Sequence, residues 1–244
     1  MTKSKKLTPD EIREKCDTAS KNMDTFYKQG VAMRISHSDT VAQYLLDNSE
    51  LWEKIQKITR QNSYNRDHSA IEPGEKATNC IEEWTAKAMF THSKKFGHKF
   101  GAIGSVIDYQ IQLKNTLKDK EAGKIDMMSL SADGQELYLI EMKQQGTGES
   151  LLRCVLEIYT YFRQIDKNKL KKDFELNNNP KVVPVVAIFT DSKPYKQIKK
   201  YSKVVELIKS LHVKVAILSG EACKKGEVPD GSKISVAWWS GNDE

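Results

Sequence analysis

Gly123-Lys-Ile-Asp-Met-Met-Ser-Leu-Ser-Ala-Asp-Gly-Gln-Glu-Leu-Tyr-Leu-Ile-Glu-Met-Lys-Gln-Gln145 is the stretch that decides the fold. Two apolar runs, 125–130 and 137–142, flank Asp133-Gly134, the dipeptide best suited to the positive φ angles of a type I′ turn. The spacing therefore predicts a β-hairpin. With Asp133 and Gly134 as the two turn residues, Ala132 faces Gln135, and cross-strand partners carry numbers summing to 267. Asp126 and Glu141 satisfy that sum.

Opposed residues of an antiparallel pair lie about 4.5–5.5 Å apart at Cβ, and residues two apart on a strand share a face. Asp126, Glu141 and Lys143 are therefore expected together at one end of one face, which continues as Met128, Leu130, Leu137 and Leu139. Met127, Tyr138, Ile140 and Met142 make the opposite face apolar too, the pattern of a buried central strand. Two carboxylates side by side at the end of such a strand repel one another and lose hydration, a costly arrangement without a cation between them. Oxygen ligands of this kind suit Mg²⁺ or Mn²⁺.

The arrangement of Asp126, fourteen residues, then Glu141-Met142-Lys143 resembles the PD-(D/E)XK (restriction-endonuclease-like) nuclease superfamily. The resemblance implies that Asp126 and Glu141 bind divalent metal and that Lys143 activates or orients the attacking water. Ile125-Asp126 stands where the family name has Pro-Asp, a substitution common in its RecB-like branch. The competing reading is a surface hairpin with a charged end, because Glu-x-Lys arises easily in a chain that is 30% charged. Turn, spacing and double-sided apolarity together favour the nuclease.

The chain has 244 residues, 39% hydrophobic and 8% aromatic, enough for one sizeable core or a core with a small accessory domain. A net charge of +6 and a pI near 8.9 suit a polyanionic partner without specifying one. Cys16, Cys80, Cys154 and Cys223 form no Cys-x-x-Cys pair, so neither a zinc site nor an iron–sulfur cluster is supported, and a reducing cytoplasm is the simpler inference. No signal-type apolar segment follows Met1, and no apolar run approaches the ~20 residues of a membrane span.

Residues 1–74 read as an N-terminal helical region. Thr8-Pro9-Asp10-Glu11 offers an N-cap, a first-turn proline and a capping-box glutamate, followed by Ile12, Cys16, Ala19, Met23 and Phe26 at helical spacing, which predicts a helix over 9–28. Ser38 and Ser49 are candidate caps of two more helices, whose apolar stripes read as packing surfaces rather than a DNA-reading face. Residues 75–219 read as an α/β core, a mixed central sheet flanked by helices. A helix over 75–90 precedes the sheet. The resemblance implies that such a helix contributes a further acid to the metal site, with Glu82 the candidate; Glu75 and Glu83 are the alternatives, and three solvated glutamates the competing reading. Residues 106–113 alternate as a half-exposed strand, and the charged loop 114–124 either borders substrate or is a solvated turn.

After Gln144 and Gln145, a Gly146-Thr147-Gly148 turn leads to a helix over 150–164 with Leu151, Val155, Ile158 and Phe162 as its apolar stripe. Arg153, Glu157 and Tyr161 recur at four-residue intervals on another face. Glu157-Ile-Tyr-Thr-Tyr161 resembles the Gln-x-x-x-Tyr pattern of the RecB-like branch with Gln replaced by Glu. Gln145, Glu157 and Tyr161 are thus supporting candidates, against a plain surface row of Arg153 with Glu157. A strand over 182–189, a helix opened by Pro194 and a strand over 213–218 argue for a parallel pair, completing an order that resembles the family's αβββαβ core. Residues 220–244 contribute an edge strand over 234–239 and a frayed end.

The reading is therefore a Mg²⁺-dependent phosphodiesterase acting on nucleic acid, DNA before RNA, with Mn²⁺ as substitute. The alternatives are an RNase, or a nucleic-acid-binding or assembly module that keeps the fold and hydrolyses nothing. Lys167, Lys169, Lys171, Lys172, Lys193, Lys196, Lys199, Lys200 and Lys203 are candidate phosphate contacts or a solvated face. A homodimer is compatible by analogy with enzymes that cut both strands.

Overall fold

The computed structural model describes residues 7–66, 68–116, 122–221 and 223–241. Six strands form one sheet in chain order: β1 (Ser105–Gln112), β2 (Lys124–Leu130), β3 (Glu136–Lys143), β4 (Lys181–Phe189), β5 (Lys214–Ser219) and β6 (Ser235–Trp238). The pairs β1/β2, β2/β3 and β5/β6 are antiparallel, and β3/β4 and β4/β5 are parallel. The helices are α1 (Pro9–Ala19), α2 (Gly30–Met33), α3 (Ser38–Asp47), α4 (Ile81–Phe96), α5 (Leu151–Gln164), α6 (Lys167–Asp173), α7 (Lys193–Ile198) and α8 (Ser202–Ser210), with short 3-10 segments between several of them. The chain is thus α/β, with a mixed central sheet flanked by helices.

The hairpin has the expected register by a different turn. Met127 faces Ile140, Met128 faces Leu139, Ser129 faces Tyr138 and Leu130 faces Leu137. Asp133 does not have the positive φ that a type I′ turn requires; of the two, only Gly134 does, at 71°. Gly134 N instead donates to the Ser131 carbonyl at 2.9 Å, while the Asp133 carboxylate accepts from Ser131 Oγ at 2.6 Å and Gln135 N at 3.1 Å. The loop is four residues rather than two. It grows by one residue on each side, so the pairing sum is unchanged and no face is exchanged.

Alternation on β3 and β4 builds two cores. Met128, Leu137, Leu139, Val186 and Ile188 pack beneath α5 together with Ile12, Phe26, Leu45 and Trp52, so the N-terminal helices and the sheet share one apolar core. Met127, Tyr138, Ile140, Val185 and Phe189 pack on the opposite side with Ala86, Met89 and Phe90 of α4. Pro184 is tolerated within β4 because the ladder with β5 begins at the next residue, Val185.

Several boundaries differ from the sequence expectation. The capping box of Thr8 and Glu11 is present, but the first helix stops at Ala19 and resumes as a 3-10 segment, Met23–Lys28, with Asn22 accepting from Asp24 N. The pre-sheet helix begins at Ile81, not residue 75, because Thr78 Oγ1 is engaged by Cys80 N and Trp84 Nε1; it ends where Gly97 adopts φ 66°. The helix after Pro194 is two helices, the second capped from outside by Asp39 Oδ1, which accepts from Lys203 N and Val204 N at 3.0 and 3.3 Å. β1 does not alternate cleanly: a bulge between Val106 and Asp108 and a positive φ at Gln110 send Tyr109 to one core and Ile111 and Leu113 to the other. Asp108, expected on the open face, is 1% exposed, with His68 Nδ1 2.8 Å from its Oδ1.

Within the charged loop 114–124, residues 117–121 lie outside the described residues, as does the end of the chain at 242–244. Among the described residues no helix is long and apolar enough to cross a membrane.

Candidate active site

The β2/β3 ladder ends at Met127 and Ile140, one step short of Asp126 and Glu141. At that step a side chain replaces the main chain as acceptor: Asp126 Oδ2 accepts from Met142 N at 2.9 Å, and Asp126 Oδ1 lies 3.4 Å from Gln110 Nε2. The strands part, and the opening is where the acids gather. Lys143 Nζ stands 2.6 Å from Glu141 Oε1, 3.3 Å from Glu149 Oε2 and 3.9 Å from Glu82 Oε2. Glu141 and Lys143 are 3% and 6% exposed.

Burial dominates the protonation of these groups. It lifts Asp126 to about 7, against the pull of Lys143 and the Met142 N–H, with Glu82 and Glu157 adding to the rise. Burial likewise pushes Glu141 well above the usual carboxylate range, reinforced by Asp126 and Glu157. Glu82 is raised by burial, opposed by Lys143 and by the Gln144 N–H. For Lys143, desolvation pulls the ammonium down, but Glu141, Cys154, Asp126 and Glu82 outweigh it and hold the pKa above its ordinary value. The cluster is short of positive charge.

Helix α5 forms the second wall. Ser150 caps it, accepting from Arg153 N at 3.1 Å, and the Gly146–Gly148 turn before it places Glu149 against Lys143. Arg153 pairs with Glu149 rather than Glu157, so the expected surface row does not form. Glu157 is instead buried: its Oε1 accepts from Tyr161 OH at 3.0 Å, and Tyr161 OH lies 3.1 Å from Tyr27 OH. Room for the Tyr161 ring exists because residue 123 is glycine; a Cβ there would stand 2.0 Å from the hydroxyl. Glu141 Oε2 and Glu157 Oε2 are buried without a hydrogen-bond partner.

Of the three candidate glutamates, Glu82 is the one that reaches Lys143; Glu75, which precedes α4, is drawn away by Lys87 at 2.8 Å. Glu82, Glu83, Gln110, Asp126, Gln144 and Gln145 line a cleft of about 530 Å³, while Glu141 and Lys143 are buried behind its wall. Glu149 and Tyr27 were not singled out from sequence. Glu149 had one legible sign, its four-residue spacing to Arg153 at a helix start; Tyr27 had none, since its partner is 134 residues away. Lys169 and Lys203, two of the candidate phosphate contacts, are held in ion pairs with Asp173 and Glu206.

Among the described residues, no group of three or more His, Cys, Asp and Glu side chains is arranged to hold a metal ion. What is present is a pair of carboxylates, Asp126 and Glu141, with hard oxygen donors and an orphaned buried oxygen on Glu141. Hard oxygen donors of this kind are the type that cations of the Mg²⁺ class take. Comparisons with family models, with curated proteins and with solved structures found no match.

Proposed function

We propose that this chain is a metal-dependent phosphodiesterase of the PD-(D/E)XK type, with a restriction-endonuclease-like core and DNA as its preferred substrate. The observation that carries this is the convergence of Glu141, Glu149 and Glu82 on Lys143 where the hairpin opens beside a cleft lined by Asp126, with Glu141 Oε2 unsatisfied. Carboxylates buried in excess of their counter-charges are costly to stability and are retained where chemistry needs them.

Asp126 and Glu141 would hold Mg²⁺ or Mn²⁺, which when bound lowers the pKa of water and neutralises charge developing on the phosphate. Lys143, just behind the cleft wall, would contribute a fixed positive charge to the field at the phosphate and the attacking water. Its ammonium is kept protonated by the surrounding carboxylates, so it acts as a cation and donor rather than a base. Met142 N–H fixes one Asp126 oxygen, and Tyr161, itself held by Tyr27, fixes one Glu157 oxygen. Gln145 and Gln110 line the cleft as amide donors for phosphate or base edges.

The test is cleavage of plasmid DNA, linear duplex, single strands and RNA with Mg²⁺ or Mn²⁺. Activity abolished by chelator and by Asp126→Ala, in a protein that keeps its circular dichroism, supports the reading; full activity in Asp126→Ala overturns it. The second reading, a non-hydrolytic nucleic-acid-binding module, is favoured by the ion pairs that already occupy Lys143 and by Glu157 in place of Gln. It predicts salt-dependent, metal-indifferent binding and no turnover on any of the four substrates.

A further inference from the structure

A larger cleft than the one beside Asp126 lies elsewhere. It measures about 670 Å³, within the roughly 300–1,000 Å³ range of small-ligand sites, and lies between α1, the 3-10 segment Met23–Lys28 and the stretch from α2 to His37. Among the described residues three cations line it, Lys15, Lys21 and Arg34, and no carboxylate does. Three acids nearby in sequence are committed to other partners. Asp17 accepts from Tyr44 OH at 2.8 Å, Asp24 from Gln56 N at 3.0 Å and Gln164 Nε2 at 3.2 Å, and Asp39 caps α8. The positive charge of the cleft is therefore not neutralised from within.

A second, independent feature is His37, which lines the same cleft and is 5% exposed. One ring nitrogen serves the Val31 carbonyl, and Nδ1 is buried without a hydrogen-bond partner. Burial, Arg34 and Lys15 hold the imidazole below its usual pKa. The ring is thus neutral, its N–H is spent on Val31, and Nδ1 is an acceptor. A bare anion offers nothing to an acceptor. A ligand that carries hydroxyl or amine donors as well as negative charge satisfies both features, and Leu7 and Val31 add an apolar wall.

We propose that this cleft binds a nucleoside phosphate: the phosphate paired with Lys15, Lys21 and Arg34, and a sugar hydroxyl or base amine donating to His37 Nδ1. The same chemistry is presented by a free nucleotide and by the terminal nucleotide of a strand. The site does not depend on the phosphodiesterase reading, because its residues are separate from the Lys143 cluster.

The test is calorimetric titration of the full chain in EDTA, so that binding is measured without hydrolysis, using AMP, inorganic phosphate and 5′-phosphorylated hexathymidylate. AMP or the oligonucleotide is expected to bind at one site per chain, at least fivefold tighter than inorganic phosphate. Lys15→Glu with Arg34→Glu weakens it at least tenfold, whereas Lys54→Glu with Lys57→Glu, an equal charge change at exposed positions, stays within twofold. The replaced side chains are all exposed, so the fold is retained. Tighter binding of AMP assigns a free nucleotide; tighter binding of the oligonucleotide, with AMP competing, assigns a strand end; both support the proposal. Binding no tighter than inorganic phosphate, no binding of AMP or oligonucleotide, or equal weakening by both double variants overturns it.

Discussion

Asp126→Asn should make the metal-free protein more stable and, at the same time, deaf to metal. The unfolded carboxyl titrates near 3.9, and the folded one is lifted to about 7. Between those values the folded chain keeps a proton that the unfolded chain has lost, so stability falls as pH rises from about 4 and the deficit is complete above about 7. At about 1.36 kcal/mol per unit, three units set an upper bound near 4 kcal/mol. The replacement amide still accepts from Met142 N, but it is itself polar and half-buried, which leaves a gain of ~1–3 kcal/mol. For a chain of this size that is a rise in Tm of roughly 2–12 °C at pH 8 in EDTA, shrinking toward nothing at pH 4.5. Excess Mg²⁺ at about 100 times Kd would then stabilise the wild type by ~2.7 kcal/mol and leave the variant unmoved, bringing the two together or reversing their order. A variant less stable than wild type at pH 8 in EDTA, or an equal response of both to Mg²⁺, refutes the reasoning: the carboxylate would then be structural.

Lys143→Met leaves Glu141 buried without its 2.6 Å partner and should cost ~3–5 kcal/mol by urea denaturation at pH 8, with much of it recovered in combination with Glu141→Gln. Gly123→Ala places a methyl 2.0 Å from Tyr161 OH and 2.4 Å from the ring carbon bearing it; a loss of ~1–3 kcal/mol is expected, which Tyr161→Phe does not rescue because the ring still clashes. Mg²⁺ affinity, read by titration calorimetry between pH 5.5 and 8.5, should fall at least about tenfold per unit below pH 7, since Asp126, lifted to about 7, must lose its proton to bind and Glu141, also raised, adds its own. A flat profile would separate Asp126 from the metal.

Legibility in the sequence followed the range of the interaction that sets each feature. The hairpin register was legible because Asp133-Gly134 and the alternating flanks are local, and it survived an error in turn type because the loop gained two residues rather than one. A gain of one would have carried Asp126 to the other face. The start of α4 was not legible, since Thr78 is held by the Trp84 indole, and neither was the break before α8, since its cap is Asp39. β1 misled because its bulge and the positive φ at Gln110 are invisible to a period-two count. In the site, Asp126, Glu141 and Lys143 lie on one hairpin and were found together; choosing Glu82 over Glu75 needed to know that Lys87 claims the latter.

Glu157 shows why a motif departure must be weighed in three dimensions. On the surface, Glu in place of Gln would cost little, since the side chain would be hydrated. Buried beside Glu141, it adds a negative charge where Asp126 and Glu141 already repel, and it raises the pKa of both. One oxygen is answered by Tyr161 through Tyr27, which ties the N-terminal region to the site helix; the other has no partner. The cluster therefore holds more acid than Lys143 and Arg153 balance, and the deficit is largest where the hairpin opens. Such an excess is stable only with bound protons at low pH or a bound cation at higher pH. It follows that Glu157→Gln, which keeps the acceptor for Tyr161 and removes the charge, should lower the Asp126 pKa, stabilise the metal-free protein at pH 8 and weaken Mg²⁺ binding; a variant that binds Mg²⁺ more tightly would show that the charge of Glu157 is not part of what draws the cation.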